Sequence, residues 1–103
     1  MARFVALYST PDDPEGFEEH YRSTHVPLVQ QWPGVTSVST TRFSGTPRGT
    51  DSPFHLMAVI DFASDEEMAA AMRSEAGMAT ARDAMAMAKD YGTTPTLLLG
   101  GDM

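Results

Sequence analysis

The chain has 103 residues, enough for one domain with a real core, and its 42% apolar content is that of an ordinary folded protein. It has no cysteine, which excludes disulfides, thiol nucleophiles, iron–sulfur clusters and cysteine zinc sites, and leaves the redox compartment unreadable from cysteine usage. Fourteen acidic against seven basic residues give a net charge of −7; that field repels a phosphate backbone, Arg42 and Arg48 make no basic patch, and nucleic acid is excluded as a partner.

The N-terminal apolar run, Phe4 to Tyr8, is too short for a signal peptide, and no run approaches the roughly 18 apolar residues of a membrane helix. A cytoplasmic protein without membrane contact is the expectation. Arg3 to Tyr8 reads as a first strand, apolar on both faces (Phe4, Ala6 and Tyr8 on one, Val5 and Leu7 on the other). Asp13 then supplies an N-cap, with Pro14 at the first helical position and Glu15 at the positive end of the dipole.

The helix that follows holds the densest chemistry in the chain: Phe17, His20, Tyr21, His25, Pro27, Leu28 and Trp32, ending at Pro33-Gly34. At about 100° per residue, Phe17, Tyr21, Thr24, Leu28 and Trp32 share one stripe, with His25 about 80° to one side of Phe17 and His20 about 60° to the other. Pro27 lacks an N–H and frees the carbonyl of Ser23, so a kink or break is expected near His25. Five residues separate the histidines, about 140° on an ideal helix. That is the wrong geometry for ligating one metal, and no metal site is expected.

Val35 to Phe43 is a β-branched second strand, and Ser44 to Pro53 a long Gly/Pro/Ser loop joining it to a third, Phe54 to Phe62. In that third strand Phe54, Leu56, Ala58, Ile60 and Phe62 share one face, and His55, Met57, Val59 and Asp61 the other. Ser64-Asp-Glu-Glu67 is a capping box. The helix it opens buries Met68, Ala71 and Met72. The pattern breaks between Ser74 and Gly77, then Met78, Ala81, Met85 and Ala88 resume it as a second helix ending near Gly92. Thr93 to Leu99 is a last strand, with Pro95 near its start.

The order β-α-β-β-α(α)-β predicts an α+β, ferredoxin-like domain, an antiparallel four-stranded sheet with helices on one face. The bare face still carries apolar residues such as Met57 and Val59, and the expected cover is a second copy of the chain, with His55 at that interface. No nucleotide fingerprint or Ser-His-Asp elbow occurs. Acidic clusters such as Glu18-Glu19 and Asp65-Glu66-Glu67 read as helix starts or solvated faces.

The pattern F-x-x-H-Y-x-x-x-H-x-P-L followed by P-G-V, carried by Phe17, His20, Tyr21, His25, Pro27, Leu28, Pro33, Gly34 and Val35, resembles the signature of the EthD-like family of the dimeric α+β barrel superfamily. The resemblance implies two ferredoxin-like subunits paired sheet to sheet, each with a small-molecule pocket between sheet and helices. Related families include cofactor-independent monooxygenases acting on polyketide quinones, muconolactone isomerases, polyketide cyclases and haem-binding proteins.

The expected activity is cofactor-free acid–base chemistry (isomerase, cyclase or quinone-forming monooxygenase type) on a small apolar, aromatic or polyketide-like molecule. The alternatives are a non-catalytic accessory binder and, more weakly, a haem protein with His25 as axial ligand. Neutral imidazole titrates near working pH, which makes His25 the candidate proton carrier. Tyr8 and Tyr21 are the candidate donors to a developing oxyanion. His20, Leu28, Trp32 and Phe54 are the expected substrate contacts.

Overall fold

The computed structural model describes residues 1–103. Its elements run β1 (Ala2–Tyr8), α1 (Pro14–His20), a π turn (Tyr21–His25), α2 (Val26–Gln30), β2 (Val35–Arg42), β3 (Leu56–Phe62), α3 (Asp65–Arg73), α4 (Glu75–Tyr91) and β4 (Pro95–Gly101). The strands form one antiparallel sheet in the order β2-β3-β1-β4, the ferredoxin-like arrangement. No helix is long and apolar enough to cross a membrane.

Local chemistry sets the boundaries. The Asp13 carboxylate accepts from the Gly16 N–H at the start of α1, and Ser64 Oγ accepts from the Glu67 N–H at the start of α3. Ser74 closes α3 and caps α4 through the Gly77 N–H. Gly92 ends α4 in the left-handed conformation, at φ 68°. β4 begins two residues later than expected, because Thr93 and Thr94 are bonded to Ser9 instead: Thr93 Oγ1 donates to the Ser9 carbonyl at 2.6 Å and the Thr94 N–H to Ser9 Oγ at 2.8 Å.

The helical face of the sheet presents Ala2, Ala6 and Tyr8 from β1 and Leu56, Ala58, Ile60 and Phe62 from β3, all buried. The core they build is divided. One cluster gathers Val29, Trp32, Ile60, Phe62, Met68 and Ala71; the other gathers Tyr8, Phe17, Tyr21, Leu56, Ala58 and Met87. The opposite face carries Val5, Leu7, Met57 and Val59, none fully buried, and Leu98, half exposed. His55 does not belong to that face. It precedes β3, packs against Phe17 and donates from Nε2 to Glu18 on α1 at 2.9 Å, so a hydrogen bond to a carboxylate ties it to the helical layer.

Two helical faces differ from expectation by a small rotation. The first buries Phe17, Tyr21, His25, Val29 and Trp32, with Thr24 exposed and Leu28 only half-buried. Successive steps of four drift by about 40° each on an ideal α-helix. The widened turn, closed by a Val26 N–H to Tyr21 carbonyl bond, absorbs that drift and brings His25 onto the buried stripe. The disruption expected from Pro27 is therefore a π turn rather than a break. In α4 the buried face is Gly77, Thr80, Ala84 and Met87, one residue ahead of the methionine stripe. Met78 and Met85 are exposed. Both stripes have the spacings 3, 4 and 3, so hydropathy alone picked the wrong one.

Candidate active site

A cavity of about 240 Å³ lies between the two core clusters. From the sheet, Phe4, Ala6, Val38, Ala58 and Ile60 wall it; from the helices, Val26, Val29, Trp32, Met72 and Ala84 do. Small side chains on α4 create the space. Gly77 contributes too, because a Cβ there would collide with the carbonyl of Ala71, so α3 and α4 approach each other closely at this point. Leu97 and Ala81, both exposed, form the rim.

Polar groups enter mainly at one end. The π turn places the His25 ring there, 4% exposed, stacked on Tyr21 at 5.4 Å and edge-on to Tyr8 at 6.4 Å. Its Nδ1 lies 2.8 Å from Asp83 Oδ2, and its Nε2 lies 3.4 Å from the Tyr8 hydroxyl. A carboxylate can only accept, so neutral His25 carries its proton on Nδ1 and keeps the Nε2 lone pair toward the Tyr8 hydroxyl. Tyr8 O–H donates to it over a long, easily exchanged contact.

Asp83 is shared. Its Oδ1 accepts from His20 Nε2–H at 2.8 Å, which leaves His20 Nδ1 to accept from Tyr91 O–H at 3.5 Å. The two histidines thus converge on one carboxylate, although an ideal α-helix would have splayed them. Each charge-assisted bond is worth about 1.5–3 kcal/mol, and together they hold a carboxylate that is only 13% exposed.

Burial pushes the His25 pKa below the ordinary imidazole value; Asp83 opposes that shift without cancelling it. His25 is therefore a neutral base at pH 7. Burial raises both Tyr8 and Tyr21 above the usual phenol range, so each stays a neutral donor. Tyr21 shares a hydrogen bond of 3.2 Å with Thr40 Oγ1. At the far end, Trp32 Nε1–H donates to Thr80 Oγ1 at 2.8 Å, and the Thr80 hydroxyl donates to the Ala76 carbonyl at 2.8 Å.

Of the residues singled out in the sequence, the cavity brings together His25, Tyr8, Tyr21 and Trp32. His20 sits behind it, on the other oxygen of Asp83. Leu28 is half-buried on the outer side of α2, where Val29 takes the inward position, and Phe54 is half-buried ahead of β3; neither lines the cavity. Asp83 was missed. The available signal was its place on α4, about 60° from Thr80 and about 40° from Met87, the stripe that is in fact buried.

The EthD domain model matches residues 10–90. An uncharacterised 11.0 kDa protein from the thcB–thcC intergenic region of Rhodococcus erythropolis is 37% identical over 83 residues, covering 81% of this chain and 80% of that protein. A crystal structure of an ethyl tert-butyl ether d (EthD) family protein from Bacillus halodurans superposes with a TM-score of 0.90 at 38% identity, over 100% of this chain and 99% of the other. SnoaB, a cofactor-independent oxygenase from Streptomyces nogalater, shares the fold at a TM-score of 0.70 and 16% identity, over 98% of this chain and 91% of its own.

Proposed function

The chain belongs to the EthD family, and from that premise we propose that it binds a small organic molecule and moves a proton on it, with His25 as the acid–base group and no cofactor. One observation carries the reading: a buried imidazole lining an apolar cavity has Nδ1 2.8 Å from Asp83 Oδ2 and Nε2 3.4 Å from the Tyr8 hydroxyl. Asp83 sets the tautomer and stabilises the imidazolium that forms when Nε2 takes a proton. Tyr8 O–H exchanges its long contact with Nε2 for the substrate oxygen on which charge develops. Tyr21, its hydroxyl tied to Thr40 and its ring stacked on His25, holds the imidazole in place from the cavity wall. An enolisable ketone, an enol or a phenol fits this arrangement, and isomerisation and cyclisation each begin with such a transfer, as does quinone-forming oxidation with dioxygen as the electron acceptor.

The supporting analogy with SnoaB is one of fold. Haem ligation by His25 fits poorly. A cavity of about 150 Å³ holds a benzene, so 240 Å³ does not hold a four-pyrrole macrocycle. For the bare sheet face we propose a homodimer, in which Val5, Leu7, Met57 and Val59 pack against their counterparts.

The test is exchange of the α-protons of 2-tetralone in D2O, followed by proton NMR. The protein is expected to accelerate exchange over buffer, and His25→Asn to reduce that acceleration at least about a hundredfold while 2-tetralone still binds. Binding without any His25-dependent exchange would replace catalysis with the accessory-binder reading.

A further inference from the structure

We propose that the ligand of this cavity is a neutral molecule of one or two rings bearing a single hydroxyl, enol or ketone group, held with that group at Tyr8 and His25 and its ring body toward Trp32. The proposal rests on the reading of His25 as the proton carrier and narrows what that site can accept. Three features of the cavity converge on it.

The first is the distribution of unused hydrogen-bonding capacity. At the Trp32 end the indole N–H is committed to Thr80 Oγ1 and the Thr80 hydroxyl proton to the Ala76 carbonyl, so no donor is free there. The side walls are Ala6, Val29, Ala58, Ile60 and Ala84, which offer nothing polar. Exchangeable capacity lies at the opposite end, where the Tyr8–His25 contact is long at 3.4 Å. A ligand with a second acceptor, such as a carbonyl, at the Trp32 end would leave it desolvated and unpaired, since only one lone pair of Thr80 Oγ1 is open there. The site is built for one acceptor-bearing pole.

The second feature is charge. No lysine or arginine lines the cavity, and the Asp83 carboxylate lies directly behind His25. A carboxylate ligand would enter an apolar space with no cation to meet it and a like charge close by.

The third is volume. A 150 Å³ apolar cavity accommodates benzene. The 240 Å³ available here is about 1.6 times that, room for about ten ring atoms where benzene has six. Two fused rings with a hydroxyl group fit. Four fused rings do not.

The experiment titrates the intact protein with a ladder of probes: phenol, 2-naphthol, 1-hydroxypyrene, naphthalene and 2-naphthoate, read by calorimetry and by thermal shift. The expected order puts 2-naphthol first, with each of the others weaker by at least about tenfold. In Ala84→Leu the cavity narrows and loses volume: 2-naphthol weakens at least about tenfold while phenol stays within about threefold. Should Ala84→Leu fail to fold, Ala81→Leu at the exposed rim reads the same size dependence. Equal or tighter binding of 1-hydroxypyrene or 2-naphthoate overturns the proposal, as does unchanged 2-naphthol affinity in a folded, narrowed variant. Proton exchange of 2-tetralone is the separate readout. His25-dependent exchange combined with the wrong size or charge order removes this substrate class and leaves the acid–base reading standing. The right order with no His25-dependent exchange removes the catalytic reading and keeps a one-pole binding cavity.

Discussion

Replacing Asp83 by Asn separates positioning from mere packing, because the substitution is nearly isosteric. The carboxylate presents one oxygen to His25 Nδ1–H and the other to His20 Nε2–H, both at 2.8 Å. An amide has one acceptor oxygen for two donors, so one imidazole must change tautomer or lose its bond. If His25 changes, Nε2 carries the proton and its lone pair no longer faces the cavity. The charge term is lost as well. An imidazolium and a carboxylate about 4 Å apart attract by about 4 kcal/mol at an effective dielectric of about 20, roughly a thousandfold in rate. Screening at a carboxylate 13% exposed trims this, and exchange of 2-tetralone is expected to fall by about 10²–10³-fold. Loss of one charge-assisted bond costs about 2 kcal/mol, or about 8–16 °C in Tm for a domain of this size. Rates should therefore be compared at about 15 °C, where the variant remains folded by circular dichroism. A folded Asp83→Asn protein that exchanges within about threefold of the parent would refute the assignment of Asp83 as the residue that positions His25.

Tyr8→Phe removes the proposed oxyanion donor and should lower exchange by about 10²-fold with little change in 2-tetralone affinity; a loss confined to affinity would make Tyr8 a binding residue. Because burial raises both tyrosines, the alkaline side of the rate profile should show no fall near pH 10, where an ordinary phenol titrates. The folded-state pKa of His25 is depressed. Between that value and the unfolded value of about 6.5 the unfolded chain binds more protons, so His25's contribution to stability is complete above about pH 6.5 and is lost as pH falls through the folded pKa. Urea titrations between pH 7.5 and 5 should show this decline, and His25→Asn should flatten it. Val59→Lys places a charge in the middle of the bare sheet face and should convert the proposed homodimer to monomer by light scattering; a parent protein that is already monomeric refutes the dimer.

The sheet was legible because strands of alternating or continuous apolarity are bounded by Pro, Gly and Asp clusters, and α1 and α3 because Asp13 and Ser64 cap them as their side-chain chemistry requires. The site was legible in its residue types but not in its geometry. On an ideal helix His25 lies on the flank; it is on the buried stripe because the turn from Tyr21 to His25 is underwound, and Pro27 signals a disruption there without fixing its form. The α4 register explains the missed carboxylate. Measured from the methionine stripe, Asp83 stands about 160° from both Ala81 and Met85 and reads as solvated. Measured from Thr80 and Met87, it stands beside the core, 58 residues along the chain from the histidine it holds. Leu28 and Phe54 failed as cavity residues for related reasons, since the π turn brings Val29 inward and β3 begins only at Leu56.

The most direct test of a neutral His25 base aimed into the cavity is its protonation and tautomer in solution, read from imidazole ¹⁵N shifts in ring-labelled protein, with His25→Asn fixing the assignment. The expected result at pH 7 is a neutral ring protonated on Nδ1, with an unprotonated Nε2 whose shift moves when 2-naphthol is added. A charged ring, a proton on Nε2, or an Nε2 signal indifferent to ligand would contradict the account.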